Sequence, residues 1–160
     1  MGYPTVRLRR TFAVPRERVY RAWLDPDVVR QWMAPSGLDV VRVEVDERVG
    51  GRHSVWHADR TGHVLGGAEC ELLELVPPER IVFAWRFVGP RRLEDPSYPT
   101  RLTITLSEPR PGETELTLIH ERLDALAQAM PDVAGQVENG WRGTLDRLDD
   151  ALTQPRKGAI

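Results

Sequence analysis

The chain has 160 residues, with 22 basic against 24 acidic side chains and a formal net charge of −2. That near balance excludes a dedicated nucleic-acid surface, and a single cysteine, Cys70, excludes an internal disulfide and a cysteine-cluster metal site. No apolar run approaches membrane-spanning length and no signal-like hydrophobic region opens the chain, so no membrane insertion and a cytoplasmic location are expected.

Val6 to Phe12 reads VRLRRTF. Val6, Leu8, Arg10 and Phe12 fall on one side, an imperfect alternation that suits a first strand. Pro15 is placed to open a short helix whose apolar stripe is Val19, Tyr20, Trp23 and Leu24. Asp25-Pro26 restarts the pattern, with Asp25 as N-cap, Pro26 in the first turn, and Val28, Val29 and Trp32 on the buried side. Leu38 to Val45 is β-branched and alternating. Gly50-Gly51 marks a turn or bulge before a strand from Arg52 to Ala58 that carries His53, Trp56 and His57. The DRTG run from Asp59 to Gly62 is a hairpin loop. A long strand follows from His63 to Val76, with a bulge expected at Gly66-Gly67 and a stop at Pro77-Pro78.

Ile81 to Phe87 has the clearest strand signal, because Ile81, Phe83, Trp85 and Phe87 share one face. Gly89 to Pro99 is polar and reads as a long loop. Arg101 to Ser107 and Thr114 to Glu121 alternate again across a turn at Pro109 to Gly112. Leu123 to Met130 is a linker or a short helix. From Val133 to Leu152, apolar residues Val133, Val137, Trp141, Leu145, Leu148 and Leu152 recur at steps of three or four, the period of a helix with one apolar face. The expected architecture is α+β: a strand, two short helices, about six antiparallel strands, and a long helix gripped by the curved sheet. One domain covers residues 1–153, and residues 154–160 form a flexible tail.

Five stretches carry a resemblance. They are VPRERVYRAWLDPDVVRQWM from Val14, the Gly50-Gly51 pair, ELVPPERIVFAW from Glu74, ETELTLIHERL from Glu113 and GWRGTLDRL from Gly140. In this order they resemble the START-like, or SRPBCC, superfamily with its helix-grip fold. More narrowly, they resemble the family related to the activator of Hsp90 ATPase. The resemblance covers residues 6 to 152 and implies a cavity between sheet and long helix. It also implies a small hydrophobic or aromatic ligand as the partner, with engagement of an Hsp90-type chaperone ATPase, or cyclase- or hydrolase-like chemistry, as the alternatives. A homodimer is a further expectation, resting on the Gly89 to Pro99 loop and on five tryptophans.

Trp32, Trp56, Phe83, Trp85 and Trp141 are the expected cavity wall, since so many large rings spread a thin apolar layer. His120 falls on the inward phase of Leu116 and Leu118. Two roles are open to it: polar contact or base for a ligand, and a core histidine satisfied by neighbours. Arg52, beside the glycine pair, is the expected anion contact at the cavity mouth. Glu69 and Glu71 face inward in one strand phase; in the other, Cys70 and Leu72 do. His57, Asp59 and His63 have residue types that suit zinc, but no fourth ligand accompanies them, so no metal and no cofactor are expected. Cys70 has no sequence neighbour to activate it. Nucleophile-elbow, zinc-protease and phosphate-loop motifs are lacking.

Overall fold

In a computed structural model, residues 5–35, 37–89 and 98–153 are described. The elements run β1 (Val6–Phe12), α1 (Arg16–Ala22), α2 (Pro26–Trp32), β2 (Asp39–Val45), β3 (Arg52–Ala58), β4 (Val64–Val76) and β5 (Arg80–Val88). They continue with β6 (Tyr98–Arg110), β7 (Glu113–Glu121), α3 (Asp124–Ala129), α4 (Pro131–Gly135) and α5 (Val137–Thr153). The strands form one seven-stranded antiparallel sheet in the order β1-β7-β6-β5-β4-β3-β2. One face of that sheet packs on the C-terminal helices, which makes this an α+β helix-grip fold.

Local chemistry sets the elements. Asp25 caps α2 by accepting the Asp27 amide at 3.0 Å, and Pro26 fits the first turn, where an amide hydrogen has no helical partner. Gly51 is required where it stands, because a Cβ there would lie 2.0 Å from the Asp46 carbonyl oxygen. The glycine pair hydrogen-bonds both ways to Leu72, Gly50 N to its oxygen and Gly51 O to its nitrogen. The loop before β3 is thereby pinned to β4.

Two boundaries differ from expectation. β6 runs from Tyr98 to Arg110, through both prolines that the sequence reading took as its limits. Pro99 pairs with Arg86 on β5 but lies past the end of β7, whose register with β6 begins at Arg101, so it stands where β6 has a neighbour on one side only, the edge setting in which strands admit proline. Pro109 falls within a register shift between Ser107 and Arg110. The final helix is also broken: Gln136 separates α4 from α5, next to Gly135, a residue of low helix propensity. The Leu123 to Met130 stretch forms the short helix α3.

The apolar stripe of α5 is buried, with Leu145 and Leu148 at 0% exposure. Trp141 meets Trp85 of β5 at 5.2 Å between ring centroids and Trp23 at 5.9 Å. Phe83, Leu118, Leu145 and Leu148 belong to the same core. The lone charge on the inner side of β1 has a purpose: Arg10 reaches the end of the helix layer, donating to Asp146 Oδ1 at 2.7 Å and to the Arg142 carbonyl at 3.3 Å. The inner face of the sheet therefore holds α5 by aromatic packing at its middle and by an arginine at its edge. Most of the expected Gly89 to Pro99 loop (90–97) and the expected tail (154–160) lie outside the described residues.

Candidate functional site

Between β3, β4, β5 and the start of α5 lies a cavity of about 460 Å³. Its wall is apolar: Met33, Val55, Ala68, Trp85, Phe87, Val137 and Trp141. Ala34 and Pro35 form one rim; Asp132, Val133 and Gln136 of α4 and the turn after it form the other. His57, Gly140 and Thr144 complete it. Gly140 stands inside α5, and a Cβ built there meets no atom within 4 Å. The space it leaves belongs to the cavity it lines.

Of the seven residues expected at the site, Trp85 and Trp141 line this cavity. Trp32 does not. It is fully buried in the core, edge-on to Trp23 at 4.7 Å, and its indole N–H donates to the Ala22 carbonyl at 3.0 Å. Phe83 is likewise a core residue, packed 6.2 Å from Trp23 and 5.1 Å from His53. Trp56 and Arg52 lie on the other face of the sheet. On β3, His53 and Val55 are buried and His57 lines the cavity, so Arg52, Ser54 and Trp56 point the opposite way. Trp56 is half-buried there, directly across from Gly67, whose own Cβ would sit 2.0 Å from the Val55 carbonyl. A large ring beside a glycine on an outer face covers exposed backbone. Arg52 is exposed, with a Glu44 carboxylate oxygen 3.9 Å away, and is no anion contact at the mouth.

His120 is inward, as its phase requires, but it does not line the cavity. Trp141 Nε1–H donates to its Nδ1 at 3.0 Å, and its Nε2 lies 2.7 Å from Thr100 Oγ1. The Thr100 hydroxyl itself donates to the Trp85 carbonyl at 2.7 Å. An indole N–H can only donate, so Nδ1 must accept. The threonine hydrogen is committed to a carbonyl, so Nε2 must donate. The imidazole is therefore neutral and in its Nε2–H form, and both ring nitrogens are used. Burial holds its pKa down to about 4. Phe87 stacks on it at 5.9 Å and 20°. Of the two roles open to His120, core histidine is the one its contacts fill.

The other questions of phase resolve similarly. Ala68, Cys70 and Leu72 are buried, which turns Glu69 and Glu71 outward, and Ser54 Oγ donates to Glu69 across the strand pair. Burial pushes the Cys70 thiol pKa up, so it is not a nucleophile at neutral pH. His57 bonds the Met33 carbonyl at 3.0 Å, while Asp59 accepts from Thr61 and from the His63 amide in the hairpin turn. Among the described residues no group of three or more metal-ligating side chains forms. Among them, too, no helix is long and apolar enough to cross a membrane. Four of the five tryptophans, Trp23, Trp32, Trp85 and Trp141, are buried, so they lend no outer surface to the expected homodimer.

Two wall features escaped the sequence. His57 shares its phase with Val55, and that signal was present; taking the indole of Trp56 as inward shifts the strand by one residue and hides it. Gly140, Ala34 and Ala68 make room by being small, which no periodicity reveals.

Sheet, gripped helix and the apolar cavity between them together define a helix-grip domain of the START-like class. Residues 13–153 match the family model described as Activator of Hsp90 ATPase homolog 1-like protein, and the chain belongs to that family. A solved structure of a protein from Chromobacterium violaceum is 33% identical, with a TM-score of 0.75, covering 95% of this chain and 98% of the other. A Silicibacter pomeroyi protein of the same family is 22% identical at TM-score 0.76, covering 93% and 97%. An Arthrobacter aurescens protein is 21% identical at TM-score 0.78, covering 94% and 87%. No curated protein matches the chain.

Proposed function

We propose that the protein binds a small, largely apolar molecule in the cavity between sheet and α5, and holds it without transforming it. The observation that carries this reading is the cavity itself: about 460 Å³, walled by Trp85, Phe87, Trp141 and aliphatic side chains. Ligand sites are typically of this size, mostly apolar with few polar groups. Catalysis would need a base within reach of a proton and a means of stabilising developing charge. The two nitrogens of His120 are already occupied by Trp141 and Thr100, and His57, the histidine on the wall, has among the described residues no lysine or arginine beside it on the lining to stabilise developing charge. Engagement of an Hsp90-type ATPase rests on family likeness alone.

Native mass spectrometry of freshly purified protein, followed by a tryptophan-fluorescence screen of lipids and aromatic metabolites, tests the reading. Trp85 and Trp141 stand on the wall, so an occupant changes their emission. A screen in which no compound binds or shifts the fluorescence removes the proposal. A ligand that leaves chemically altered replaces it with an enzyme.

A further inference from the structure

The polar groups at the cavity have a common sense. His57, on the cavity lining, has Nε2 3.0 Å from the Met33 carbonyl, which can only accept, so Nε2 carries the hydrogen and Nδ1 is the acceptor of the ring, with no hydrogen bond to it among the described residues. Burial, with Arg147 nearby, lowers the His57 pKa and keeps the ring neutral. Asp132 brings a carboxylate to the rim. The Thr144 hydroxyl donates to the Gly140 carbonyl at 2.8 Å, which leaves only its lone pairs. Gln136 offers both a donor and an acceptor and does not discriminate. Among the described residues no lysine or arginine lines the cavity.

The donors nearby are either engaged elsewhere or shut in. Arg147 gives its guanidinium to the carbonyls of Ala34, Pro35 and Leu38, at 3.0, 3.3 and 2.9 Å. The Trp141 indole N–H is bonded to His120, and the Trp85 indole N–H, which has no hydrogen-bond partner, is shut off from the cavity space by the protein atoms that bury it. The positive end of α5 carries its own acid, Glu138, in the first turn.

We infer that the cavity selects a neutral, hydrogen-bond-donating head group, such as a phenol or an alcohol, on an apolar body, and rejects carboxylate- and phosphate-headed molecules; the inference rests on the binding role proposed above. A hydroxyl donates to His57 Nδ1. A carboxylate meets two acceptors and a like charge, and loses its water without replacement. His57, not His120, is the polar contact.

Three probes with one body separate the head group from the cavity: biphenyl, 4-phenylphenol and 4-biphenylcarboxylate, titrated calorimetrically at pH 7.5. The phenol is expected to bind about tenfold tighter than the carboxylate, the equivalent of one good hydrogen bond. In His57→Phe the ratio of phenol to biphenyl affinity, both measured on the variant, falls to near one. Because His57 also bonds the Met33 carbonyl, a second variant guards against misfolding. Asp132 is exposed, and Asp132→Lys is expected to raise carboxylate affinity relative to biphenyl about threefold or more. A carboxylate that matches or exceeds the phenol, or a phenol no better than biphenyl, overturns the inference and leaves the cavity reading standing. Failure of all three probes to bind removes the cavity reading and the inference with it.

Discussion

Gly140 separates stability from binding in a way few residues do. It is the fourth residue of α5, and a Cβ added there touches no atom within 4 Å. Glycine inside a helix costs roughly 0.5–1 kcal/mol relative to alanine, because the unfolded chain has more freedom to lose. Gly140→Ala therefore stabilises the fold by about 0.5–1 kcal/mol, and the melting temperature rises by about 1–4 °C for a chain of this size. Gly140→Leu keeps the propensity gain and projects an isobutyl group into the cavity of about 460 Å³. Its stability stays at or above that of the parent, while affinity for a cavity-filling probe such as biphenyl drops more than tenfold. Urea unfolding with an unchanged slope reads the first quantity, and calorimetric titration reads the second. A Gly140→Leu protein destabilised by more than about 1 kcal/mol would mean that the side chain meets packed atoms rather than space. Unchanged affinity would mean that the occupant sits elsewhere. Either result refutes the argument from the glycine.

Leu148 is wholly buried in the core beneath α5, so Leu148→Ala is expected to cost about 2–5 kcal/mol in urea unfolding. His120 has a folded-state pKa depressed to about 4, so below the unfolded value of about 6.5 the unfolded chain takes up a proton that the folded one refuses. Stability is constant with respect to this group above about pH 6.5 and falls by about 2–3 kcal/mol by pH 4.5; His120→Gln flattens that slope, and an unaltered slope would refute the assignment. Arg147→Met releases three carbonyls at the cavity rim, and hydrogen exchange across residues 34–38 is expected to accelerate with a local loss of about 2 kcal/mol. Trp141→Phe leaves His120 Nδ1 without its donor and is expected to cost about 1–3 kcal/mol beyond the lost ring area, measured against Trp56→Phe on the outer face.

The fold was legible because its signals are local and periodic. The six-residue stripe that runs from Val133 of α4 through α5, and the alternation of Ile81, Phe83, Trp85 and Phe87, each need only their own neighbours to be read. Inner and outer faces were legible on β7, where Leu116, Leu118 and His120 are all buried. The site was less legible, for two physical reasons. On β3 both phases carry aromatic rings, and the heavier one, Trp56, lies outside because Gly67 opposite it leaves uncovered backbone. The role of His120 depends on Thr100 and Trp141, each about 20 residues away in sequence, and no pattern along one strand announces a partner at that distance. A cavity, moreover, is formed where side chains are missing, and hydrophobic periodicity records only those present.

The chain of hydrogen bonds from Trp141 through His120 and Thr100 to the Trp85 backbone runs in one direction, each group donating to the next. It joins α5 to β5, the two elements whose tryptophans meet on the cavity wall. The Trp141 ring is consequently anchored through its nitrogen and cannot swing aside without stranding the imidazole behind it. The aromatic wall that the two touching indoles make is set before any guest arrives. Little ordering then remains to oppose association, and guests that need this wall to move are refused rather than accommodated. Homologous chains that keep the rings but replace the histidine would have a softer, more permissive interior.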